Sequence, residues 1–371
     1  MIYLDNAATT PVHPDVLDAM LPYLKNKYFN PSSTYNPALA VSKDIENARS
    51  NVAKLLNADP NEIFFTSCGS ESNNWVIQNK FLRGGVLTSS IEHPSVLNNY
   101  SIYDKIPVDN NGVVDNNVAD AYMSDSNVEL CSIMMVNNEV GSVQPIKKLS
   151  EIAHKHGLLF HTDAVQAAGN MEINLKEMPC VDFLSISGHK IGAPKGIGAL
   201  YIKKDVQGHI SPLIYGGGQE HGFRSGTENV AGIVGLGEAA RIALRDFEKN
   251  TTMKSYLMHI LEHDLLHNID DIKINSMAEQ RTHILNVSFK NIDGESLMIL
   301  LGKDNIYVST GSACHSKSTS LSHTLTSMNV PKEYIGGTIR ISIGNHNTEK
   351  EIRFVAKRIK ENVELLRKYK G

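Results

Sequence analysis

The sequence predicts an α/β protein: an open, mostly parallel sheet flanked by helices, followed by a smaller α/β domain. Three observations predict it. Short apolar runs alternate with segments of helical periodicity through the first half of the chain, the order that builds a parallel sheet. Polar side chains gather just after those runs, at His93, Asn138, Asp163 and Lys190. Open parallel sheets bind their ligands at these carboxyl ends. A long helical stretch from about Glu228 to Leu266 then leads to a second set of strands and helices. The expected division is a large domain over 13–247 and a small one made of 1–12 and 248–371.

Length and composition bound the function. The 371 residues suit about two domains. Hydrophobic residues make up 41% and charged ones 20%, an ordinary globular balance. A net charge of −4 gives no electrostatic case for nucleic acid or an anionic membrane. No apolar run approaches a membrane span. Met1 to Asp5 lacks the basic and apolar regions of a signal peptide, so the expected location is cytoplasmic. The four cysteines, Cys68, Cys131, Cys180 and Cys314, form no C-x-x-C pair, and no metal site is expected. Cys131 and Cys180 read as structural.

Residues 1–12 form an extended arm. Asp5 and Asn6 beside Ala7 and Ala8 make a plain turn or a close-approach surface for a small ligand. Helical patterning follows over Pro14–Leu24 and Ala38–Leu56, where Val41, Ile45, Ala48, Val52 and Leu55 recur at three- and four-residue steps. Glu62–Thr66 reads as a strand and Glu71–Phe81 as a helix. The turn between them, Ser67-Cys68-Gly69-Ser70, frees backbone N–H groups at a helix N-terminus, an anion site that many similar turns leave unused. Val86–Ser90 is a strand ending in Glu92-His93-Pro94. That histidine either caps a loop or serves as an acid–base or stacking group.

Residues 101–127, rich in Asn and Asp, read as surface connection. Leu130–Val136 and Leu158–Thr162 read as strands around a helix over Ile146–His156. Val181–Ile186 is a strand running into Ser187-Gly-His-Lys190, and Gly198–Lys203 is one more. The glycine-rich run Tyr215–Asn229 carries Arg224, Ser225 and Thr227, a composition for phosphate or partner contact rather than a linker. Further on, Ile284–Phe289, Ile306–Ser309 and Thr338–Ile343 read as strands, with helices over Gly294–Leu301 and Thr348–Tyr369. Between them, Thr310–Ser320 is a polar loop containing Cys314.

Lysines are rarely buried. One placed straight after a buried strand is a surface residue at a turn, or a desolvated amine able to form a Schiff base. An Asp at a strand end ahead of such a lysine meets the needs of pyridoxal phosphate, whose ring nitrogen must stay protonated. Asp163 and Lys190 satisfy that pattern.

The whole chain closely resembles the cysteine desulfurases of the class V aminotransferase group, enzymes of fold type I. The resemblance runs through Tyr3–Pro11, Thr66–Asn74, Glu92-His93, Val136–Gly141, Asp163–Gln166, Ser187–Lys190, Gly216–Glu220, Arg224–Thr227 and Gly311–Cys314. It implies a pyridoxal 5'-phosphate enzyme that removes sulfur from L-cysteine, giving L-alanine and a persulfide on Cys314. It implies that Lys190 carries the cofactor and moves the Cα proton, with Asp163 on the ring nitrogen. His93 stacks on the ring as an acid–base group, and Gln166 and Asn138 lie near the phenolic oxygen and the substrate. Gly69, Ser70, Ser187 and His189 hold the phosphate. Thr227 reaches the phosphate of a neighbouring subunit, which implies a homodimer with shared sites. Arg340 clamps the substrate carboxylate, and Asn6 and Ala8 line its pocket.

Cys314 has some support from its own surroundings. His315 and Lys317 lie close by in a loop of small polar residues, and positive charge favours thiolate. A mobile loop there would swing the persulfide to an acceptor. Two features depart from the family. Cys68 stands where many relatives have glycine and reads as a tolerated small residue. The sequence also stops at Gly371, where iron–sulfur assembly members continue into a scaffold-docking segment. The acceptor is therefore open between an iron–sulfur scaffold and a tRNA- or cofactor-thiolation enzyme. A selenocysteine lyase on the same scaffold is the nearest alternative activity.

Overall fold

Apolar runs become buried strands, and the polar residues that follow them become loops at one edge of a sheet. The computed structural model describes residues 1–79, 84–125, 127–275, 282–310 and 321–370. In chain order the strands are β1 (Ile2–Tyr3), β2 (Ile63–Thr66), β3 (Gly85–Ser89), β4 (Ile102–Ile106), β5 (Val128–Ser132), β6 (Leu159–Asp163), β7 (Phe183–Ser187), β8 (Gly198–Ile202), β9 (Ile272–Ile274), β10 (Ile284–Phe289), β11 (Ile306–Tyr307) and β12 (Thr338–Ser342). The helices are α1 (Pro14–Lys25), α2 (Asn36–Leu56), α3 (Gly69–Ile77), α4 (Pro94–Leu97), α5 (Asn116–Met123), α6 (Ile146–Lys155), α7 (Val230–Arg245), α8 (Phe247–Asn268), α9 (Gly294–Lys303), α10 (His323–Ser327), α11 (Lys332–Ile335) and α12 (Glu349–Lys370).

The central sheet has seven strands in the order β2-β8-β7-β6-β5-β3-β4. From β7 to β4 every pairing is parallel; β8 runs antiparallel to both β7 and β2. The parallel strands β5, β6 and β7 are almost wholly buried, as strands covered on both faces must be. A second sheet, β12-β10-β9, is antiparallel, and β1 pairs in parallel with β11. The arm that begins the sequence thus joins strands formed near its other end.

Two large apolar clusters result. One packs α2, α6 and α7 against the central sheet. The other packs α8, α9 and α12 against the antiparallel sheet and takes in Leu4. Residues of 325–335 return to the first cluster. Among the described residues no helix is long and apolar enough to cross a membrane.

Two readings are corrected. Residues 101–127 are not plain connection, because they hold β4 and α5. β4 is the sheet's edge strand, and Tyr103, Asp104 and Lys105 on it are exposed, so its sequence lacks an apolar run. Asp115 is the N-cap of α5, accepting from the N–H groups of Asn117 and Val118. The long helical stretch is also two helices, α7 and α8, parted at Asp246.

The glycine-rich run is pinned by one buried ion pair. Arg49 on α2 grips Glu220 through two hydrogen bonds of 2.7 and 2.9 Å. Glu220 also accepts from the Phe65 N–H at 2.8 Å, tying the run to β2. The side chains of Arg49 and Glu220 are 3% and 5% exposed. Removing one partner strands a buried charge. Glu220→Gln is expected to cost roughly 3–5 kcal/mol of stability, read as a lowered denaturant midpoint.

Candidate active site

The parallel strands β3, β5, β6 and β7 end at the same edge of the sheet. Their ends deliver Glu92 and His93, the 134–139 segment, Asp163, and Ser187 to Lys190. A cavity of about 580 Å3 opens there, lined by Ala8, Gly69, Ser70, His93, Asn138, Asp163, Gln166, Ser187, His189, Lys190 and Arg340. Asn6 does not line it and instead borders a second cavity. Thr227 is exposed and lines a separate small pocket with Arg224 and Glu228. Cys314 lies outside the described residues.

The amine of Lys190 donates to the carbonyls of Ala7 and of Ala8, the latter at 2.8 Å. Gln166 donates to the same Ala7 carbonyl at 2.9 Å. The arm is therefore a wall of the cavity. It is held by Thr10 N–H on the His189 carbonyl at 2.8 Å and by Ala7 N–H on Ser342 Oγ at 2.8 Å.

Asp163 is buried, and its carboxylate is fixed by two donors. Val165 N–H reaches Oδ1 at 2.9 Å, and Asn73 Nδ2 reaches Oδ2 at 2.7 Å. Asn73 also donates to Ser95 Oγ at 2.9 Å. Ser95 contacts His93 Nδ1 through its hydroxyl at 2.8 Å and donates its backbone N–H at 3.1 Å. A backbone donor on Nδ1 makes that nitrogen an acceptor, so the ring proton sits on Nε2. Burial holds the His93 imidazole below its ordinary value; Asp163 opposes this, and Lys190 and His323 add to it. His93 is thus neutral near pH 7. Burial, with Lys190 and Lys195 nearby, likewise brings His189 down to about 4.

One side of the cavity is built for an oxyanion. α3 starts at Gly69, and its N-cap residue Cys68 makes no side-chain capping bond. A Cβ on Gly69 would lie 2.7 Å from Val165 Cγ2, so only glycine lets the helix come this close. Ser187 Oγ is buried without a hydrogen-bond partner. Free N–H groups at a helix start and an unsatisfied hydroxyl suit a phosphate. Arg340 also lines the cavity, 5% exposed and bonded to Asp5 Oδ1 at 2.7 Å and the Asn138 carbonyl at 2.8 Å.

Several residues of the site carry no role in the sequence reading. Asn73 lies one helical turn after Gly69 and so shares its face, a spacing that identifies it in retrospect. Glu92 beside His93 is another, an acidic residue at the end of an apolar run. It is fully buried, contacts Ser89 Oγ at 2.5 Å and accepts the Met134 N–H at 2.9 and 3.0 Å. Burial raises it to about 8, outweighing these two hydrogen bonds, and Asp163 adds to the rise. The folded state therefore holds this proton more tightly than the unfolded chain, whose glutamates titrate near ~4.3. Its contribution to stability is complete below that value and is lost as pH rises towards 8. Glu92→Gln is expected to fold and to flatten the fall in melting temperature between pH 5 and pH 8, by a few kcal/mol of stability at the upper end. An unchanged pH slope in the variant would show that Glu92 is ionised in the folded protein.

A cavity at the carboxyl ends of parallel strands, with one lysine and one buried aspartate, is the arrangement of an enzyme's active site. The family follows from comparison with known proteins. The aminotransferase class-V model matches residues 2–355, and the chain belongs to that family. A protein of Methanosarcina thermophila named cysteine desulfurase IscS is 43% identical over 379 residues, covering 99% of this chain and 93% of its own length. A cysteine desulfurase of a Nostoc species is 42% identical, covering 99% and 94%. Among solved structures, a NifS-like protein superposes with a TM-score of 0.90 at 37% identity, covering 98% of this chain and all of its own. A structure of SspA in complex with cysteine gives 0.80 at 33% identity, covering 94% of this chain and 100% of its own.

Proposed function

We propose that this chain is a cysteine desulfurase, which converts L-cysteine to L-alanine and carries the released sulfur as a persulfide on Cys314. One observation carries the reading. Lys190, Asp163, His93 and Arg340 line a single cavity in a chain more than two-fifths identical to proteins of that name.

Pyridoxal 5'-phosphate suits the residues present. Lys190 offers the amine for its aldehyde, Asp163 the carboxylate for its ring nitrogen and His93 a face for its ring. The α3 start with Gly69 and Ser70, the unpartnered Ser187 hydroxyl and His189 suit its phosphate. When bound, the cofactor supplies an electron sink for charge developing at the substrate Cα. Thr227, which does not line the cavity of its own chain, would serve the phosphate of a second copy in a homodimer.

The chain's own groups do the rest. Arg340 exchanges its Asp5 partner for the substrate carboxylate, for which a guanidinium is a matched fork. Lys190 takes the Cα proton. Gln166 and Asn138 orient the substrate, with Ala8 behind it. His93, neutral at Nδ1 and protonated at Nε2, exchanges a proton beside the ring. The Cys314 thiolate attacks the substrate sulfur; an S–S bond forms, the substrate C–S bond breaks, and the electron pair and a proton end on alanine. The persulfide then passes to a sulfur-accepting protein, either an iron–sulfur scaffold or a thiolation enzyme.

Incubation with L-cysteine and a thiol reductant is expected to give alanine and sulfide in equal amounts. Alanine formed from L-selenocysteine but not from L-cysteine would reassign the chain as a selenocysteine lyase.

A further inference from the structure

Lys190 also lines a second cavity, of about 500 Å3. Its walls come from the arm at Thr10 to Pro14, the turn at Ala168 to Asn170, α7, α8 and the segment Ile343 to His346. It therefore lies between the two apolar clusters. Its titratable lining is basic: besides Lys190, it holds Lys254, His13, His283 and His346. Among the described residues no aspartate or glutamate lines it.

Lys254 is 5% exposed. Its ammonium donates to Asn170 Oδ1 at 2.6 Å, and among the described residues it has no carboxylate partner. Buried charges are ordinarily paired, and a neutral amide leaves this one uncompensated. Burial draws Lys254 down to about 8, so it stays mostly protonated at neutral pH. His283, also 5% exposed, has no partner at Nδ1 among the described residues. Burial, with Lys254, Lys190 and Arg340 nearby, keeps that imidazole well below its ordinary value and so neutral. Much of the remaining lining is apolar: Ile191, Ala239, Ile242 and Ala243. An inorganic ion would turn its spare oxygens towards these carbons. A carboxylate on a short hydrocarbon body satisfies both halves of the cavity.

We propose that this cavity binds a small organic carboxylate, with its head on Lys254 beside Asn170 and its apolar body against Ile242 and the alanines of α7. The inference does not depend on the desulfurase reading, since none of the groups that hold the ligand takes part in that chemistry.

The test uses the full chain with its cofactor bound, titrated calorimetrically with butanoate and, separately, with inorganic phosphate. Lys254→Met removes the ammonium at nearly equal size. Asn170→Asp keeps the lysine and gives it an internal counter-ion, and it carries the test alone if the first variant does not fold. Both are expected to weaken butanoate at least tenfold. A crystal soaked in butanoate is expected to place the carboxylate on Lys254 Nζ. The proposal is overturned by wild-type protein that does not bind butanoate, by unchanged affinity in the variants, or by phosphate binding more tightly. Density at Lys254 that belongs to a protein side chain also overturns it.

Discussion

Lys190→Ala is expected to lose the visible absorbance of the covalently held cofactor and to turn over L-cysteine about 10^3-fold more slowly, or worse. The expectation follows from where the amine sits. It donates to the carbonyls of Ala7 and Ala8, which orient it but cannot take a proton from a substrate. Among the described residues no other lysine lines the cavity, so no second amine there can hold the cofactor's aldehyde. Fluorescence of free cofactor after gel filtration, alongside alanine release, checks both parts. A variant that kept its absorbance and turnover would remove Lys190 from the chemistry.

Cys314→Ser is expected to behave differently. The absorbance should be unchanged, because the lysine, the aspartate and the oxyanion cradle remain. Sulfide release from L-cysteine should fall on the order of 10^3-fold, as when other nucleophiles are removed. A hydroxyl is far less nucleophilic than a thiolate near pH 7. Labelled sulfur should stay on the wild-type protein after desalting and be absent from the variant. Label retained by Cys314→Ser would direct attention to Cys68, which also lines the cavity. The two variants therefore separate holding the cofactor from taking the sulfur.

Most of the central sheet was legible because its inner strands are buried and start in apolar runs. β5, β6 and β7 are buried on both faces, so large apolar residues dominate them and the stretches beside them. β4 was not legible for the opposite reason: an edge strand needs no such run, and Tyr103 to Lys105 face water. The same contrast holds in the site. Lys190 and Asp163 stand out because charged residues seldom follow buried strands. Asn73 does not, because an asparagine within a helix is ordinary until Asp163 and Ser95 are brought to it from other elements. Lys254 was hidden too. Nothing in α8 distinguishes a buried lysine from its exposed neighbours until the walls around it are assembled.

The pairing of β1 with β11 sets an order of events during synthesis. Asp5 meets Arg340 across 335 positions of sequence. At roughly 5–20 residues per second, the ribosome takes on the order of half a minute to cover that distance. Once β8 is made, the central sheet has all its strands, but Arg340 and Ser342, which hold the arm beside Lys190, are still to come. A nascent chain can thus fold its largest core and still be chemically silent. Competence arrives only when β11 and β12 emerge and draw the arm into place. The wall of the site that the arm provides is thus completed well after the central sheet.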